Sequence, residues 1–336
     1  MEEVKDCGVR SLIGGDDKPT FIAFKNPSSY LIITSEKGML LTENDKNLYL
    51  AQLPFNGRSK SVIDAVVYAD NLDCYFFNIG RMLYRKDLNQ KAPIQYVKFD
   101  LRGSGFDSGF VYSKPNERLI YSNSNLYVLN LRTRNEIEVR ARFGKLKKFK
   151  LMGKERVIGL CRNGCSSPSE FSILLGNLFC RLQTGKFVSQ FPLNLSKEKR
   201  ESVASFAGCQ KNRYLFVEIQ GNLDDSMFCS RMLIFDCFED NLTLKASLDH
   251  LKENMGIKRT LHCAGYAKNR PLWVGLSGRW TAQIFAFDAE KEELLELKEK
   301  RVKYRERALD QIHSVGDDLY YMSYSGKLNK LRIGVE

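Results

Sequence analysis

Hydrophobic and polar positions alternate most clearly within residues 106–143. Four short stretches in this segment predict strands, at residues 106–112, 118–122, 126–131 and 136–143. In the last stretch, apolar residues such as Ile137 alternate with charged residues such as Glu138, which is the period of two expected of a half-buried strand. Four short antiparallel strands form one propeller blade, and one blade cannot bury both of its faces without neighbours.

The same unit can be found seven times along the chain. The strands that open each copy are predicted at residues 21–25, 62–68, 106–112, 146–152, 203–208, 260–266 and 309–315. The last copy has only three strands, and residues 8–13 would supply the fourth by pairing near residues 328–333. The pattern therefore predicts one all-β domain over residues 1–336, a seven-bladed β-propeller of four-stranded antiparallel blades closed by an N-terminal strand.

Two dipeptides connect this repeat to a known family. Phe235-Asp236 and Phe287-Asp288 stand where a Trp-Asp pair ends the third strand of a WD repeat. The chain contains neither a Trp-Asp dipeptide nor the Gly-His pair of that family. With seven units and an overlapping ring closure, it resembles the WD-repeat β-propellers in architecture. The resemblance implies a rigid disc whose rims and channel mouth bind other molecules.

Two segments interrupt the strand pattern. Leu248, Leu251 and Met255 have helical spacing before Gly256, which predicts a short helix ahead of the sixth unit. Residues 290–307 are predicted to begin as the fourth strand of that unit and to continue as a long exposed connection.

The first residues, the length of the apolar stretches and the cysteine count indicate the cellular compartment. The first residues lack the basic and apolar regions of a signal peptide, and no apolar stretch is long enough to span a bilayer. Nine cysteines, an odd number, do not form a disulfide framework. These observations predict an intracellular protein, cytoplasmic or nuclear, without membrane insertion.

Charge gives the main functional clue. The chain has 52 Lys and Arg against 40 Asp and Glu, a formal net charge of +12, which favours acidic partners. Basic residues are concentrated in two segments, and the candidate partner-binding residues in each form a basic run. The first basic run is Lys147, Lys148 and Lys150, and the second basic run is Arg301, Lys303, Arg305 and Arg307. The two runs belong to longer basic segments, residues 132–156 and 298–307, each of which includes a connection between consecutive blades. Such connections emerge on one rim of a propeller.

An ionisable residue follows an apolar one near the start of four opening strands. These residues are Asp64, Asp107, His262 and Asp310. In a propeller they would converge at the channel mouth, where carboxylates and an imidazole can bind a cation or transfer protons. The simpler interpretation, solvated side chains or hydrogen bonds to loop backbone, is preferred. Cys161 and Cys165 lack the further ligands that zinc requires, so no metal or cofactor site is predicted.

The function prediction follows from what is present and what is missing. The sequence lacks the Gly-x-Ser-x-Gly, His-Glu-x-x-His and P-loop motifs. The leading prediction is a non-catalytic interaction scaffold that binds an acidic protein partner or other subunits of a larger complex. A nucleic-acid or phosphate-binding propeller is the second, because Phe149 and Tyr304 lie within the basic segments and can stack on bases. An enzyme that uses the channel-mouth residues is the third.

Overall fold

The fold of the chain is all-β. The computed structural model describes residues 2–6, 19–34, 38–44, 46–52, 65–90, 93–98, 110–114, 117–123, 125–139, 145–152, 156–162, 170–177, 189–198, 200–208, 214–223, 226–238, 241–249, 260–267, 270–277, 281–288, 291, 293–295, 301–303, 308–315, 318–323 and 327–331. These ranges contain antiparallel sheets and no α-helix. A helix with the length and apolarity needed to cross a membrane is accordingly not found in them.

The described residues from Glu2 to Val139 contain thirteen strands. The first, β1, is Glu2–Asp6. Sheet 1 consists of β2 (Pro19–Asn26), β3 (Ser29–Thr34), β4 (Gly38–Glu43) and β5 (Lys46–Gln52). Sheet 2 consists of β6 (Val66–Ala69), β7 (Cys74–Ile79), β8 (Met82–Asp87) and β9 (Ile94–Lys98). Sheet 3 consists of β10 (Phe110–Ser113), β11 (Arg118–Asn123), β12 (Asn125–Asn130) and β13 (Glu136–Val139).

Sixteen strands follow. Sheet 4 consists of β14 (Lys145–Met152), β15 (Arg156–Arg162), β16 (Glu170–Asn177) and β17 (Ser189–Asn194). Sheet 5 consists of β18 (Ser202–Gly208), β19 (Tyr214–Leu223), β20 (Ser226–Asp236) and β21 (Thr243–Asp249). Sheet 6 consists of β22 (Thr260–Ala267), β23 (Arg270–Ser277), β24 (Thr281–Asp288), β25 (Glu293–Leu295) and β26 (Arg301–Lys303). Sheet 7 has the order β1-β29-β28-β27, in which β27 is Ala308–Val315, β28 is Asp318–Ser323 and β29 is Lys327–Leu331.

The chain divides into two compact units. The first unit comprises Glu3–Glu138 and Met322–Asn329, and it contains sheets 1, 2 and 3. The second unit comprises Met1–Glu2, Val139–Tyr321 and Lys330–Glu336, and it contains sheets 4, 5 and 6.

In the first unit, sheet 2 is covered on both faces. All six residues of β7 are buried. Tyr75 and Phe77 pack with residues of sheet 1 such as Leu31, whereas Phe76 packs with residues of sheet 3 such as Leu119. Because successive side chains of a strand point to opposite faces, a strand between two other sheets is expected to be mostly apolar. The run of apolar and aromatic residues in β7 meets this expectation, and its one polar side chain, the buried Asn78, accepts from the backbone N–H of Ala65 at 2.9 Å and donates to the carbonyl of Gly80 at 3.1 Å.

Sheets 4 and 5 share a core in the second unit. Leu160 and Leu193 of sheet 4 pack with Leu215, Val217 and Phe235 of sheet 5. The ring of Phe191 meets the ring of Phe235 edge to face, with centroids 4.9 Å apart. Apolar faces of consecutive sheets thus meet in both units.

The predicted opening strands are confirmed within a few residues as β2, β6, β10, β14, β18, β22 and β27. Several other expectations are wrong. Leu248, expected in a helix, lies in β21 and pairs with Met232, while Leu251 and Met255 lie outside the described residues. The connection predicted to follow β25 includes a further strand, β26, and both pair with β24.

The N-terminal strand also differs from the prediction. The strand next to β29 in sheet 7 is β1, Glu2–Asp6. Residues 8–13, which were expected to take this place, lie outside the described residues. The alternation that assigned Ile137 to a buried face is wrong too, because this side chain is 51% exposed.

Candidate functional site at the turns of sheets 1 to 3

The structure describes the predicted channel-mouth residues only in part. Asp64 and Asp107 lie outside the described residues. His262 lies on β22, in register with Gly275, and Asp310 lies on β27. The strands β22 and β27 are neighbours. Convergence of these four side chains stays a prediction.

The two basic runs lie at different places in their sheets. Lys148 and Lys150 lie on β14, the first strand of sheet 4, in register with Leu160 and Ile158, and Lys147 lies at an irregularity of the same strand. Arg301 and Lys303 lie on β26 in sheet 6, and Arg305 and Arg307 lie outside the described residues. The residues of the first run therefore lie on the opening strand predicted at residues 146–152.

A polar network among well-described side chains surrounds residues 70–73, the turn between β6 and β7. Asp73 Oδ1 lies 2.8 Å from the ammonium of Lys25, at the end of β2 in sheet 1. Asp70 Oδ2 lies 2.8 Å from the ammonium of Lys114, which follows β10 in sheet 3. One turn of sheet 2 is thereby joined by ion pairs to both neighbouring sheets.

Hydrogen bonds extend the network to the turns of sheet 3. The Tyr112 hydroxyl donates to Asn71 Oδ1, and Asn71 Nδ2 donates to Glu117 Oε1 at 3.4 Å. Arg132 binds both carboxylate oxygens of Glu117, with Nε 2.6 Å from Oε2 and a terminal nitrogen 2.8 Å from Oε1. Such a two-point arginine contact fixes orientation as well as distance.

Two carboxylates of the network stand on left-handed backbone. Asp73 has φ 46° and Glu117 has φ 49°. Aspartate tolerates this region, whereas glutamate there costs about 1 kcal/mol or more and must be held by surrounding contacts. For Glu117, the backbone N–H of Leu131 donates to its carbonyl at 2.9 Å. The turn conformation and the ion pair with Arg132 thus support each other.

These contacts change the proton affinities of the groups. Hydrogen bonds from Lys25 and then Tyr68 hold the pKa of Asp73 below its usual value. The hydrogen bond from Arg132 lowers the pKa of Glu117 in the same way. Burial and the neighbouring Asp73 raise the pKa of Tyr68, whose hydroxyl donates to Asp73 Oδ1 at 2.5 Å. At neutral pH the network contains ionised carboxylates and a protonated phenol.

Between sheets 1 and 2 the network reaches buried polar atoms. In the described part of the chain, the Tyr75 hydroxyl and Glu43 Oε2 are buried and have no hydrogen-bond partner. The other oxygen of Glu43 lies 4.0 Å from the ammonium of Lys25. Burial raises the pKa of Tyr75, and the Glu43 charge raises it further. The Lys25 ammonium therefore supplies positive charge beside the carboxylates of both Glu43 and Asp73.

The chemistry of the network is that of ion pairing. Within the described residues, no group of three or more His, Cys, Asp or Glu side chains is arranged to hold a metal ion. The sequence interpretation did not single out Asp70, Asp73 or Glu117 as site residues. A usable signal was a lysine near the end of the opening strand, since Lys25 is the last of residues 21–25 and Lys114 lies two residues after 106–112.

Comparison with known proteins identifies a fold neighbour. No protein-family model matches the chain, and no curated protein matches it in sequence. Among solved structures, the chain is similar to hydrazine synthase of Kuenenia stuttgartiensis, with a TM-score of 0.65 and 10% sequence identity over 95% of this chain and 96% of that chain. At this identity the likeness shows the fold alone.

The comparison corrects one prediction. The missing catalytic motifs predicted that the chain is not an enzyme, and this prediction is contradicted because the structural neighbour is a synthase. An all-β fold of this kind occurs in a protein that carries out a reaction, so missing sequence motifs do not exclude catalysis. The likeness assigns no reaction to this chain.

Proposed function

We propose that the chain is a seven-bladed β-propeller that serves as an interaction module. It binds acidic partners through a basic surface and acts within a larger complex. The sheets are its blades, and β1 closes the ring. The likeness to the WD-repeat family is one of architecture.

The main support for the propeller is the placement of the first strand of each sheet. In the first unit, Cα atoms of β2 and β6 come within 8 Å of each other, as do those of β6 and β10. In the second unit the same is true of β14 and β18, of β18 and β22, and of β22 and β27. First strands that are neighbours from sheet to sheet are expected when blades surround a common axis, because each blade contributes its first strand to the channel wall.

The composition of sheet 7 supports closure. It combines β1, from the beginning of the sequence, with β27, β28 and β29 from its end. A blade built from both chain ends removes the two open edges that a linear array of sheets would expose. This is the role predicted for an N-terminal strand.

The charge balance supports an acidic partner. Described carboxylates such as Asp70, Asp73 and Glu117 are paired with lysine or arginine. Each such pair is neutral, so the formal net charge of +12 must reside on cations outside these pairs. Surplus positive charge attracts polyanions and speeds their encounter.

Binding to two defined polyanions tests this function. Poly-glutamate represents an acidic protein and single-stranded oligothymidylate represents a nucleic acid, and the affinity for each is measured at low and moderate salt. The test variant reverses Lys148, Arg305 and Arg307 to Glu, and the control reverses Lys46, Arg81 and Lys291, which are exposed and outside both runs. Poly-glutamate binding should weaken with salt and fall about tenfold or more in the test variant alone, because several contacts of roughly 0 to 1 kcal/mol are lost together.

The other outcomes are also informative. Equal losses in both variants, or in neither, would place the binding surface away from the basic runs. Preferential binding of oligothymidylate that depends on the same residues would favour the nucleic-acid alternative, for which Phe149 lies on β14 beside Lys148 and Lys150.

A further inference from the structure

Exposed apolar side chains mark the last strands of several sheets. Among the described residues, the exposed large hydrophobic side chains include Leu48 on β5, Ile94 on β9, Ile137 on β13 and Leu244 on β21. Each of these strands is the fourth of its sheet and is paired on one side in the sheet orders. Scattered exposed apolar residues, among which Phe238 between β20 and β21 also belongs, need no explanation by themselves. A contact surface is indicated only where other interface-forming side chains adjoin such a residue, as they do near Ile94.

The surroundings of Ile94 offer the most defined chemistry. Ile94 is 48% exposed and pairs in register with Arg85. Two residues later, the Tyr96 hydroxyl donates to the carbonyl of Leu131 in sheet 3 at 2.5 Å. The guanidinium of the exposed Arg134 lies over the Tyr96 ring, 4.7 Å from its centroid. We call Ile94, Tyr96 and Arg134 the Ile94 patch, and all three belong to the first unit.

The backbone of Arg134 is held in place by its turn, and its side chain contacts the Tyr96 ring. Its backbone is left-handed, with φ 60°, and its N–H donates to the carbonyl of Asn130 at 2.8 Å. The Tyr96 ring beneath it meets the buried Phe76 edge to face, with centroids 5.5 Å apart. A guanidinium over an aromatic ring has five N–H donors, and those that do not face the ring can bind a carboxylate. A preorganised arginine loses little entropy when it binds.

The backbone of β9 argues against strand addition as the binding mode. The register between β8 and β9 shifts next to Tyr96, since Leu83 pairs with Val97 and Tyr84 with Gln95. A bulge at a sheet edge disrupts the regular ladder that an added strand would need. Recognition at the Ile94 patch therefore depends on side chains.

Charge decides which occupant fits. A second copy of this chain would bring another formal charge of +12 to the surface, which opposes self-association. An apolar contact at Ile94 beside a carboxylate at Arg134 satisfies both halves of the patch. Arginine and exposed aromatic or apolar groups are also the usual anchors of protein interfaces.

We propose that the Ile94 patch binds an acidic segment of a partner protein, with an apolar side chain on Ile94 and a neighbouring Asp or Glu carboxylate on Arg134. Its residues differ from those of both basic runs, so the inference stands on different residues from the proposed function.

A phage-displayed library of random linear peptides tests the inference on the full chain. Selected peptides should share an aliphatic or aromatic residue close to Asp or Glu. Ile94→Ser and Arg134→Ala should each weaken the selected peptide about tenfold. The matched controls are Leu48→Ser, which removes a side chain of nearly the same exposure, 46%, and Arg81→Ala, which removes an exposed cation.

Peptide binding that survives Ile94→Ser and Arg134→Ala, or that falls equally in Leu48→Ser and Arg81→Ala, would overturn the inference. So would selection of peptides without acidic residues, or oligothymidylate binding that is lost with Arg134→Ala. Unchanged thermal midpoints in all four variants are expected, because the replaced side chains are exposed. Since the triple reversal in the basic runs leaves the Ile94 patch intact, it should retain most of the peptide binding, which separates failure of this inference from failure of the proposed function.

Discussion

At the scale of single residues, the interior contains polar groups that are satisfied by local backbone. Lys86 is fully buried in sheet 2, in register with Tyr75. Its ammonium donates to the carbonyls of Asp87 and Gln90, and burial lowers its pKa. A buried charge is tolerated only with such partners. The short turn after β8 provides them.

The pKa of Asp73 leads to a prediction about pH. The ionised carboxylate binds Lys25 and Tyr68, so its contribution to stability is present above the unfolded pKa of about 3.9 and is lost as pH falls through the lower folded pKa. Asp73→Asn, which tolerates the same left-handed backbone, should cost about 1 kcal/mol or less at pH 7, since the Asp73 side chain is 56% exposed and exposed ion pairs contribute little. Urea unfolding from neutral to acidic pH should show this difference shrinking below about pH 4. A constant difference would contradict the assignment, and the exposed Glu198→Gln is the control.

Cys74 provides a second prediction at this scale. Its side chain is buried and free, and burial raises its pKa to about 12. The thiol is therefore protonated and shielded at neutral pH, and only a thiolate is reactive. Iodoacetamide should leave Cys74 and the equally buried Cys237 unmodified in the native protein and modify both in urea, as measured by peptide mass spectrometry. Rapid native labelling of Cys74 would show that β7 opens.

At the scale of elements, each sheet depends on its neighbours. Phe76 is fully buried between sheets 2 and 3, where its ring also meets Tyr96. Ile137, on the last strand of sheet 3, is 51% exposed. Position within the sheet, more than residue type, decides what a side chain contributes to stability.

Replacing these two residues measures the difference. Phe76→Ala should lower the free energy of unfolding by about 3 to 5 kcal/mol, because it removes a ring from a packed interface and leaves a cavity. Ile137→Ala should change it by about 0.5 kcal/mol or less. Denaturant unfolding with fitted midpoints and slopes makes the comparison. Similar effects from the two substitutions would show that sheets 2 and 3 do not share a close-packed core.

At the scale of the whole molecule, closure of the proposed ring depends on β1. Deleting residues 1–6 removes the strand that neighbours β29 and exposes an edge that can pair with other chains. The deletion should lower the thermal midpoint by several degrees or more and increase light scattering on heating. Deleting residues 332–336, which follow β29, is the control. An unchanged midpoint for the first deletion would contradict closure by β1.

Much of the strand layout could be predicted from the sequence because its signals are local. The opening strand predicted at residues 260–266 corresponds to β22, Thr260–Ala267, since apolar runs and the turn residues between them are readable one segment at a time. The same local pattern gave a wrong prediction at Ile137, whose side chain is exposed. Alternation shows that a strand has two different faces, but it does not show which face a neighbouring sheet covers.

The candidate site lay further beyond local signals. Asp70 and Lys114 are 44 residues apart in the sequence, and Asn71 and Glu117 are 46 apart. None of these four residues is unusual in its own segment. The pairs form because the turns of sheets 2 and 3 lie close together. The sequence by itself determined the β-class, the repeat of short strands and the surplus of positive charge, because these are properties of composition and spacing. Only the tertiary structure decided which carboxylates are paired, which apolar residues stay exposed and where Arg134 stacks, because each of these depends on contacts between segments that are distant along the chain.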